Sequence, residues 1–169
     1  MALPFAEERF DAVAMALVIP LVTDPAKAVA EMVRVAAPGA TVATYVWDLM
    51  GGRSPVELID AEFERTGHRL PMQPSLGASE MKVLRDLWTT AGLDAIETRE
   101  ITVHRTFANF DDFWTANLLS PRVAPAVAAM SSEELERLRA RVLEHLPLDP
   151  TGTVTYAATA NAIKGRRPA

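Results

Sequence analysis

The chain has 169 residues, of which 49% are hydrophobic and 23% charged, so one globular domain with a sizeable core is expected and disorder is excluded. Against 22 Asp and Glu stand 17 scattered Lys and Arg, which gives a net charge of −5 and argues against nucleic acid as a partner. The absence of cysteine excludes disulfides and zinc–thiolate sites. No apolar run is long enough to span a bilayer, so we expect a cytoplasmic protein without membrane association.

The first third of the chain is typical of a strand, a helix and a second strand. Phe10 to Val18 is a near-continuous apolar run, which predicts a strand covered on both faces, with a buried helix as the alternative. Asp24 and Pro25 match the N-cap and first position of a helix that Pro38-Gly39 would close. Thr41 to Trp47 is rich in β-branched and aromatic residues and predicts the second strand.

The middle of the chain predicts two helices and a strand. Ser54 is a candidate cap for a helix over Pro55 to Arg65. Ser79 to Ala91 is amphipathic and predicts the next helix. Ala95 to Thr106 alternates imperfectly between apolar and polar residues, which indicates a strand near the edge of the sheet.

The last third predicts two helices and a final strand. A short helix is expected over Asn109 to Leu119, and a clearer one begins at Ser131 and runs to Leu146. Thr153 to Ile163 predicts the last strand. Because no repeat or linker divides the chain, we expect a single domain over 1–169 with a helical insertion at 109–146.

Two sets of short motifs carry a resemblance to a known family. The first set is Leu3-Pro4-Phe5, Phe10-Asp11-Ala12-Val13, Asp24-Pro25, Glu31-Met32, Arg34-Val35, Ala37-Pro38-Gly39 and Val42. The second set is Tyr45-Val46-Trp47-Asp48, Leu87-Trp88, Ala91-Gly92-Leu93, Phe110-Asp111-Asp112-Phe113-Trp114 and Ala160-Asn161-Ala162-Ile163-Lys164-Gly165. In this order and spacing the motifs resemble the second half of a class I S-adenosylmethionine-dependent methyltransferase, in a branch that acts on small molecules.

The resemblance implies an α/β fold, namely a partial Rossmann-like methyltransferase sheet made of the family's fourth to seventh strands. In that family the cofactor binds at the carboxyl ends of the first strands, next to a glycine-rich turn. That turn, and the acidic residue that holds the ribose, are not found in this sequence. We therefore expect a truncated N-terminus, with roughly 90 further residues needed for three strand–helix units, and weak or no binding of S-adenosylmethionine by this chain alone.

The resemblance also implies candidate cofactor-binding residues at the end of the first strand. Ala14, Met15 and Ala16 stand where the family's backbone passes the methionine part of the cofactor. The alternative is that they are ordinary core residues of a strand.

Three further residues are candidates for binding the methyl acceptor. Trp47 and Asp48 follow the second strand and would face the acceptor, and Trp114 in the inserted helix could close over it. Packing is the alternative role for Trp47, and a local apolar staple with Phe110 and Phe113 is the alternative for Trp114.

Neither a catalytic residue nor a metal site can be assigned from the sequence. His68, His104 and His145 lie apart and lack the spacing of metal ligands. No serine has the Gly-x-Ser-x-Gly surroundings of a hydrolase nucleophile. In a methyltransferase, holding donor and acceptor in line can supply much of the catalysis without a dedicated acid or base.

Two functional hypotheses follow. The first is a methyltransferase that acts on a small molecule. The second is a non-catalytic remnant that serves as a binding or dimerisation module. In the family, the fourth strand lies beside the first, so Phe10 to Leu17 would form a free strand edge here, and self-association through it is expected.

Overall fold

A computed structural model of the protein describes residues 2–68, 70–120 and 122–169. The four strands are β1 (Phe10–Ala16), β2 (Ala36–Trp47), β3 (Asp94–Phe107) and β4 (Val154–Arg166). The helices are α1 (Pro25–Val35), α2 (Glu57–Arg65), α3 (Met81–Thr90), α4 (Phe110–Leu118), α5 (Ala124–Ala128) and α6 (Ser132–His145), and short 3-10 helices cover Ile19–Leu21 and Leu76–Ser79. The predicted α/β class is confirmed.

The strands form one mixed sheet in the order β1-β2-β4-β3. β1 runs parallel to β2, with Ala14 opposite Ala43, whereas β4 runs antiparallel to β2, with Ala162 opposite Tyr45. β2 is therefore paired on both sides. β3 lies at one edge of the sheet, as predicted from its imperfect alternation, and β1 lies at the other.

The chain divides into two compact units. The first comprises residues within 1–54, 73–102 and 159–169, and the second comprises residues 55–72 and 103–158. β3 and β4 contribute residues to both units. The predicted helical insertion at 109–146 lies wholly in the second unit, where it is joined by α2.

In the first unit, α1 and α3 pack on one face of the sheet, which we call the helix face. Buried side chains of the two helices, such as Val29 and Trp88, share a core cluster with Val42 of β2. The Trp88 indole Nε1 donates a hydrogen bond to the Val42 carbonyl oxygen at 3.1 Å. A buried indole needs such a partner, so Trp88 has a core role.

The opposite face of the sheet, which we call the open face, carries Ala14 and Ala16 of β1 and Tyr45 of β2, all exposed. Tyr45 is 45% exposed. The expectation that the first strand is covered on both faces is therefore wrong. Ala12, Ala14 and Ala16 of this strand are exposed, while Val13 and Met15 pack towards the helices.

The sequence predicted two of the helix ends correctly and two of them wrongly. The Asp24 side chain accepts a hydrogen bond from the Lys27 amide, and Ser131 begins α6 with a complete capping box, both as expected. Pro38 and Gly39 do not close α1, because the helix ends at Val35 and they lie within β2. Ser54 is not a cap either, since α2 begins after Val56 without a side-chain cap.

A buried carboxylate joins α2 to α6 in the second unit. The Glu62 side chain is fully buried and accepts hydrogen bonds from Arg65 and from Arg141 Nε, the latter at 2.9 Å. His145 Nδ1 lies 3.2 Å from the same carboxylate. Burial raises the pKa of Glu62, but the hydrogen bonds from the two arginines outweigh it and hold the pKa below its ordinary value.

We predict that Glu62→Gln lowers the free energy of unfolding by about 1.5–3 kcal/mol, the usual value of hydrogen bonds to a charged group. A lowered native pKa stabilises the fold above the unfolded-state pKa of about 4.3, and this contribution disappears as the pH falls through the native value. The difference between the two proteins, measured by urea unfolding, should therefore shrink as the pH falls below about 4.3. Glu133→Gln, which removes an exposed i,i+4 pair with Arg137, is the control and should cost under about 0.5 kcal/mol. Equal losses in both variants would contradict the prediction.

Candidate functional site

The candidate site lies where β1 and β2 both end, because parallel strands bring their carboxyl ends to the same edge of the sheet. Ala16 is opposite Tyr45, and the Leu17 amide donates to the Tyr45 carbonyl oxygen at 2.8 Å. The buried Thr44 hydroxyl donates to the Met15 carbonyl oxygen at 2.6 Å. These bonds fix the ends of the two strands relative to each other.

The three predicted cofactor residues have different surroundings. Ala14 and Ala16 lie exposed on the open face, with no side-chain atoms beyond Cβ to impede a ligand. Met15 is half-buried and packs against the core cluster on the helix face. A cofactor contact at these positions would therefore be made by backbone and small side chains, and their role stays a prediction.

Trp47 and Asp48 end β2 in contrasting positions. Trp47 is half-buried and, by the alternation of the strand, lies on the same face as Tyr45. Asp48 is 6% exposed. Its Oδ1 accepts from the Gly51 amide at 3.1 Å, and its Oδ2 accepts from Arg53 Nε at 2.6 Å. Asp48 thus organises the turn that follows β2, and a direct contact with an acceptor stays a prediction.

Sequence reasoning missed the arginine that completes this turn. Arg53 binds Asp48 through Nε and the Glu100 carboxylate of β3 through both terminal nitrogens, at 2.9 and 2.7 Å. The hydrogen bonds that Arg53 donates to Glu100 and Asp48 raise the pKa of Arg53, and those that Glu100 accepts from Arg53 lower the pKa of Glu100. Glu100 is 47 residues further along the chain, so no local pattern links the pair.

A second polar group lies beside this turn. The Ser79 hydroxyl accepts from the Met50 amide at 3.3 Å, and the Ser79 carbonyl oxygen accepts from Asn161 Nδ2 at 2.8 Å. Asn161 is 2% exposed, and its Oδ1 has no hydrogen-bond partner in the described structure. The turn is therefore held from β3 and β4 as well as from its own strand.

Trp114 belongs to the second unit and is 7% exposed there. Its ring stacks on Phe110, with ring centroids 6.0 Å apart, inside the apolar core of that unit. This packing matches the alternative role considered for it. A contact between Trp114 and a methyl acceptor stays a prediction.

Metal-binding and membrane-spanning features were searched for within residues 2–68, 70–120 and 122–169. His, Asp and Glu side chains there form no group of three that could hold a metal ion. None of the helices in that part of the chain has the length and apolarity that a membrane crossing requires.

Comparison with known proteins gives a sequence match and structural matches. Residues 1–44 match the family model described as a methyltransferase domain. A candidate methyltransferase from Bacillus halodurans has a similar structure, with a TM-score of 0.53 and 17% identity over 99% of this chain and 68% of its own. The YcgJ protein of Bacillus subtilis has a TM-score of 0.48 and 16% identity, over 99% of this chain and 68% of its own. A phosphoethanolamine N-methyltransferase of Haemonchus contortus has a TM-score of 0.46 and 12% identity, over 98% of this chain and 35% of its own. No curated protein matches the sequence.

The fold is a Rossmann-like α/β sheet similar to that of a methyltransferase, and the carboxyl ends of β1 and β2 lie at one edge of it. The expected resemblance to methyltransferases is confirmed by the sequence match over residues 1–44, and the fold of the chain is similar to that of the Bacillus halodurans protein.

The residues of this chain fit only part of the cofactor that the family uses. Small residues at the end of β1 leave room for a ligand to approach. However, the Asp48 carboxylate next to them is already bound by Gly51 and Arg53. Among the described residues at this edge, the Asp48 carboxylate is therefore not free to bind ribose hydroxyls.

We predict that Gly51→Ala disrupts the turn after β2. A Cβ at residue 51 would lie 2.7 Å from Asp48 Cγ and would overlap the carboxylate, so a loss of about 1–3 kcal/mol in stability is expected. Gly77→Ala is the control, because a Cβ at Gly77 meets no atom within 4 Å. Thermal unfolding measures both. A neutral Gly51→Ala would mean that the turn does not depend on the contact between Gly51 and Asp48.

Proposed function

We propose that this chain is part of an enzyme that transfers a methyl group from S-adenosylmethionine to a small-molecule acceptor. The observation that supports it most is the family match over residues 1–44, which covers β1, α1 and most of β2. These elements form the edge at which ligands of open α/β sheets bind. The sulfonium cofactor supplies the methyl group, and the protein's part is to position the acceptor.

The acceptor would bind next to the turn after β2. Trp47 offers an aromatic surface there, and the Asp48–Arg53–Glu100 network keeps the turn in place. Every charge in this network is paired within the chain. The network therefore stabilises the shape of the site, and none of its side chains serves as a general acid or base. This supports a reaction whose rate depends on positioning.

The proposed role of Trp47 can be separated from a packing role. In a form of the protein with measurable turnover, Trp47→Phe should lower kcat/KM by about tenfold or more, which is 1.4 kcal/mol, because a large part of the acceptor's contact surface is lost. Thermal stability should change little, since Trp47 is only half-buried.

Trp88→Phe is the matched control for Trp47→Phe. Trp88 is fully buried and bonded to Val42, so its replacement should lower stability and leave kcat/KM of the remaining folded enzyme near the wild-type value. If Trp47→Phe behaves like Trp88→Phe, Trp47 is a core residue and the acceptor site lies elsewhere.

Cofactor binding provides a second test. We predict that the chain as given binds S-adenosylmethionine with a Kd weaker than micromolar, because the sequence lacks the glycine-rich turn and the acidic residue that holds the ribose in the family it resembles. Micromolar affinity, about −8 kcal/mol, requires most of a preformed site. Titration calorimetry on the purified chain measures it. Saturable micromolar binding by a monomer would show that these residues suffice.

The second candidate function is a binding or dimerisation module. It is favoured by the position of β1 at the edge of the sheet, where its outer side has no strand partner among the described residues. Methyl transfer by purified protein, measured with labelled S-adenosylmethionine and a panel of small amines, alcohols and carbon acids, distinguishes the two. Transfer supports the enzyme, and its absence in a stable, self-associated protein supports the module.

A further inference from the structure

Large apolar side chains that are exposed in the described structure gather where β1 and β2 end. Five of them, each between 38% and 56% exposed, belong to this part of the first unit: Leu17, Val18, Leu21, Tyr45 and Met50. We call these five residues the apolar rim. A single exposed apolar residue is ordinary on a protein surface, but a group of them where a ligand is expected indicates contact with an apolar molecule.

Leu17 takes a backbone conformation that a leucine rarely adopts. Its φ of +59° lies in the left-handed region, where Cβ crowds the following carbonyl oxygen. The hydrogen bond from its amide to the Tyr45 carbonyl oxygen, at 2.8 Å, holds it at the end of β1. Strained residues of this kind persist where the surrounding structure fixes them, and they are common at functional sites. The strain therefore supports a function for the rim at this point of the fold.

Contacts within the first unit hold other members of the rim. The 3-10 helix Ile19–Leu21, which ends with a rim residue, packs on the 3-10 helix Leu76–Ser79. The Ser79 hydroxyl of this second 3-10 helix accepts from the Met50 amide, as described above. Leu21 and Met50 are thus both held against one short helix, and the rim extends from the end of β1 to the turn after β2.

The charged groups of the turn after β2 are bonded to one another. Asp48 and Glu100 both accept hydrogen bonds from Arg53, and Asp48 also accepts from the Gly51 amide. A charged group that moves from water to an apolar surface loses solvation, and only a partner of opposite charge restores it. An uncharged apolar group has no such loss, and it gains from the apolar area that it covers. The site therefore favours an uncharged acceptor.

We infer that the methyl acceptor is an uncharged and largely apolar small molecule, and that its apolar part lies against the rim. This inference rests on the proposed function, because it names the kind of acceptor that the proposed site takes. It concerns side chains that follow β1 and β2, and it does not require the outer edge of β1 or the open face of the sheet to be free. Leu21 and Met50 contribute most to specificity, since they are the most exposed members of the rim.

Three probes that share one apolar part test the preference for an uncharged molecule. At neutral pH phenylbutanol is uncharged, phenylbutyrate is an anion and phenylbutylamine is a cation. Titration of each probe into protein with isotope-labelled methionine methyl groups gives its Kd by NMR. The Met50 signal, assigned by its loss in Met50→Leu, reports binding at the rim. Phenylbutanol should shift this signal saturably and bind at least about fivefold more tightly than either charged probe.

Paired substitutions test whether the rim is the binding surface. Val18→Thr/Leu21→Asn replaces two rim side chains by polar ones of similar size, and it should weaken phenylbutanol binding by about fivefold or more because apolar contact is lost. Val103→Thr/Leu119→Asn makes the same changes at exposed residues outside the rim, and its Kd should stay within about twofold of wild type. Met50→Gln, followed through the signals of the probe, is a second rim variant with the same expected loss. Circular dichroism checks that each variant is folded.

Three results would overturn the inference: no saturable shift of the Met50 signal with phenylbutanol, a charged probe that binds as tightly as phenylbutanol, or equal Kd values in the two paired variants. Failure of the proposed function gives a different result. Binding of phenylbutanol at the rim without methyl transfer to any acceptor in the panel above would overturn the proposed function. Transfer to charged acceptors in preference to uncharged ones would overturn this inference alone.

Discussion

The pairing of β2 on both sides is the constraint on which the rest of this structure depends. β1 binds one side of β2 in parallel, and β4 binds the other side antiparallel, so the direction and register of three strands are fixed by one. The carboxyl ends of β1 and β2 consequently meet, and the turn from Asp48 to Arg53 begins at their common edge. In the same pairing, the odd-numbered residues of β1 direct their N–H and C=O groups towards β2, and the even-numbered residues direct theirs away from it.

Elements with strong local signals could be predicted from the sequence. Asp24 before Pro25 begins α1, and Ser131 with Glu134 begins α6, because a cap bonds within its own helix turn. Pro38 and Gly39 misled the prediction of the helix end. They lie within β2, where Gly39 takes a φ of +75° and its amide still donates to Arg167. A proline–glycine pair marks a change of direction, and tertiary pairing decides whether it ends a helix or bends a strand.

In the candidate site, too, some residues could be identified from the sequence and others could not. Trp47 and Asp48 could be singled out because a resemblance and a strand end pointed to them. Arg53 and Glu100 could not, because their ion pair depends on β3 reaching the turn after β2, across 47 residues. The buried Asp48 carboxylate binds the turn that it begins, and its contact with an acceptor stays a prediction. Sequence patterns identify where a site lies more readily than they identify which polar groups neutralise each other there.

The hydropathy pattern predicted correctly that β1 is a strand, but the expectation that both of its faces are covered was wrong. The apolar run that suggested cover on both faces is rich in alanine, and alanine is as compatible with an exposed strand face as with a buried one. Val13 and Met15 pack towards the helix face, whereas Phe10 and Leu17, near the two ends of the run, stay exposed. The other face carries the exposed alanines of β1 beside the exposed Tyr45 of β2. The size of the side chains along a strand, rather than their apolarity alone, therefore decides which of its faces must be covered.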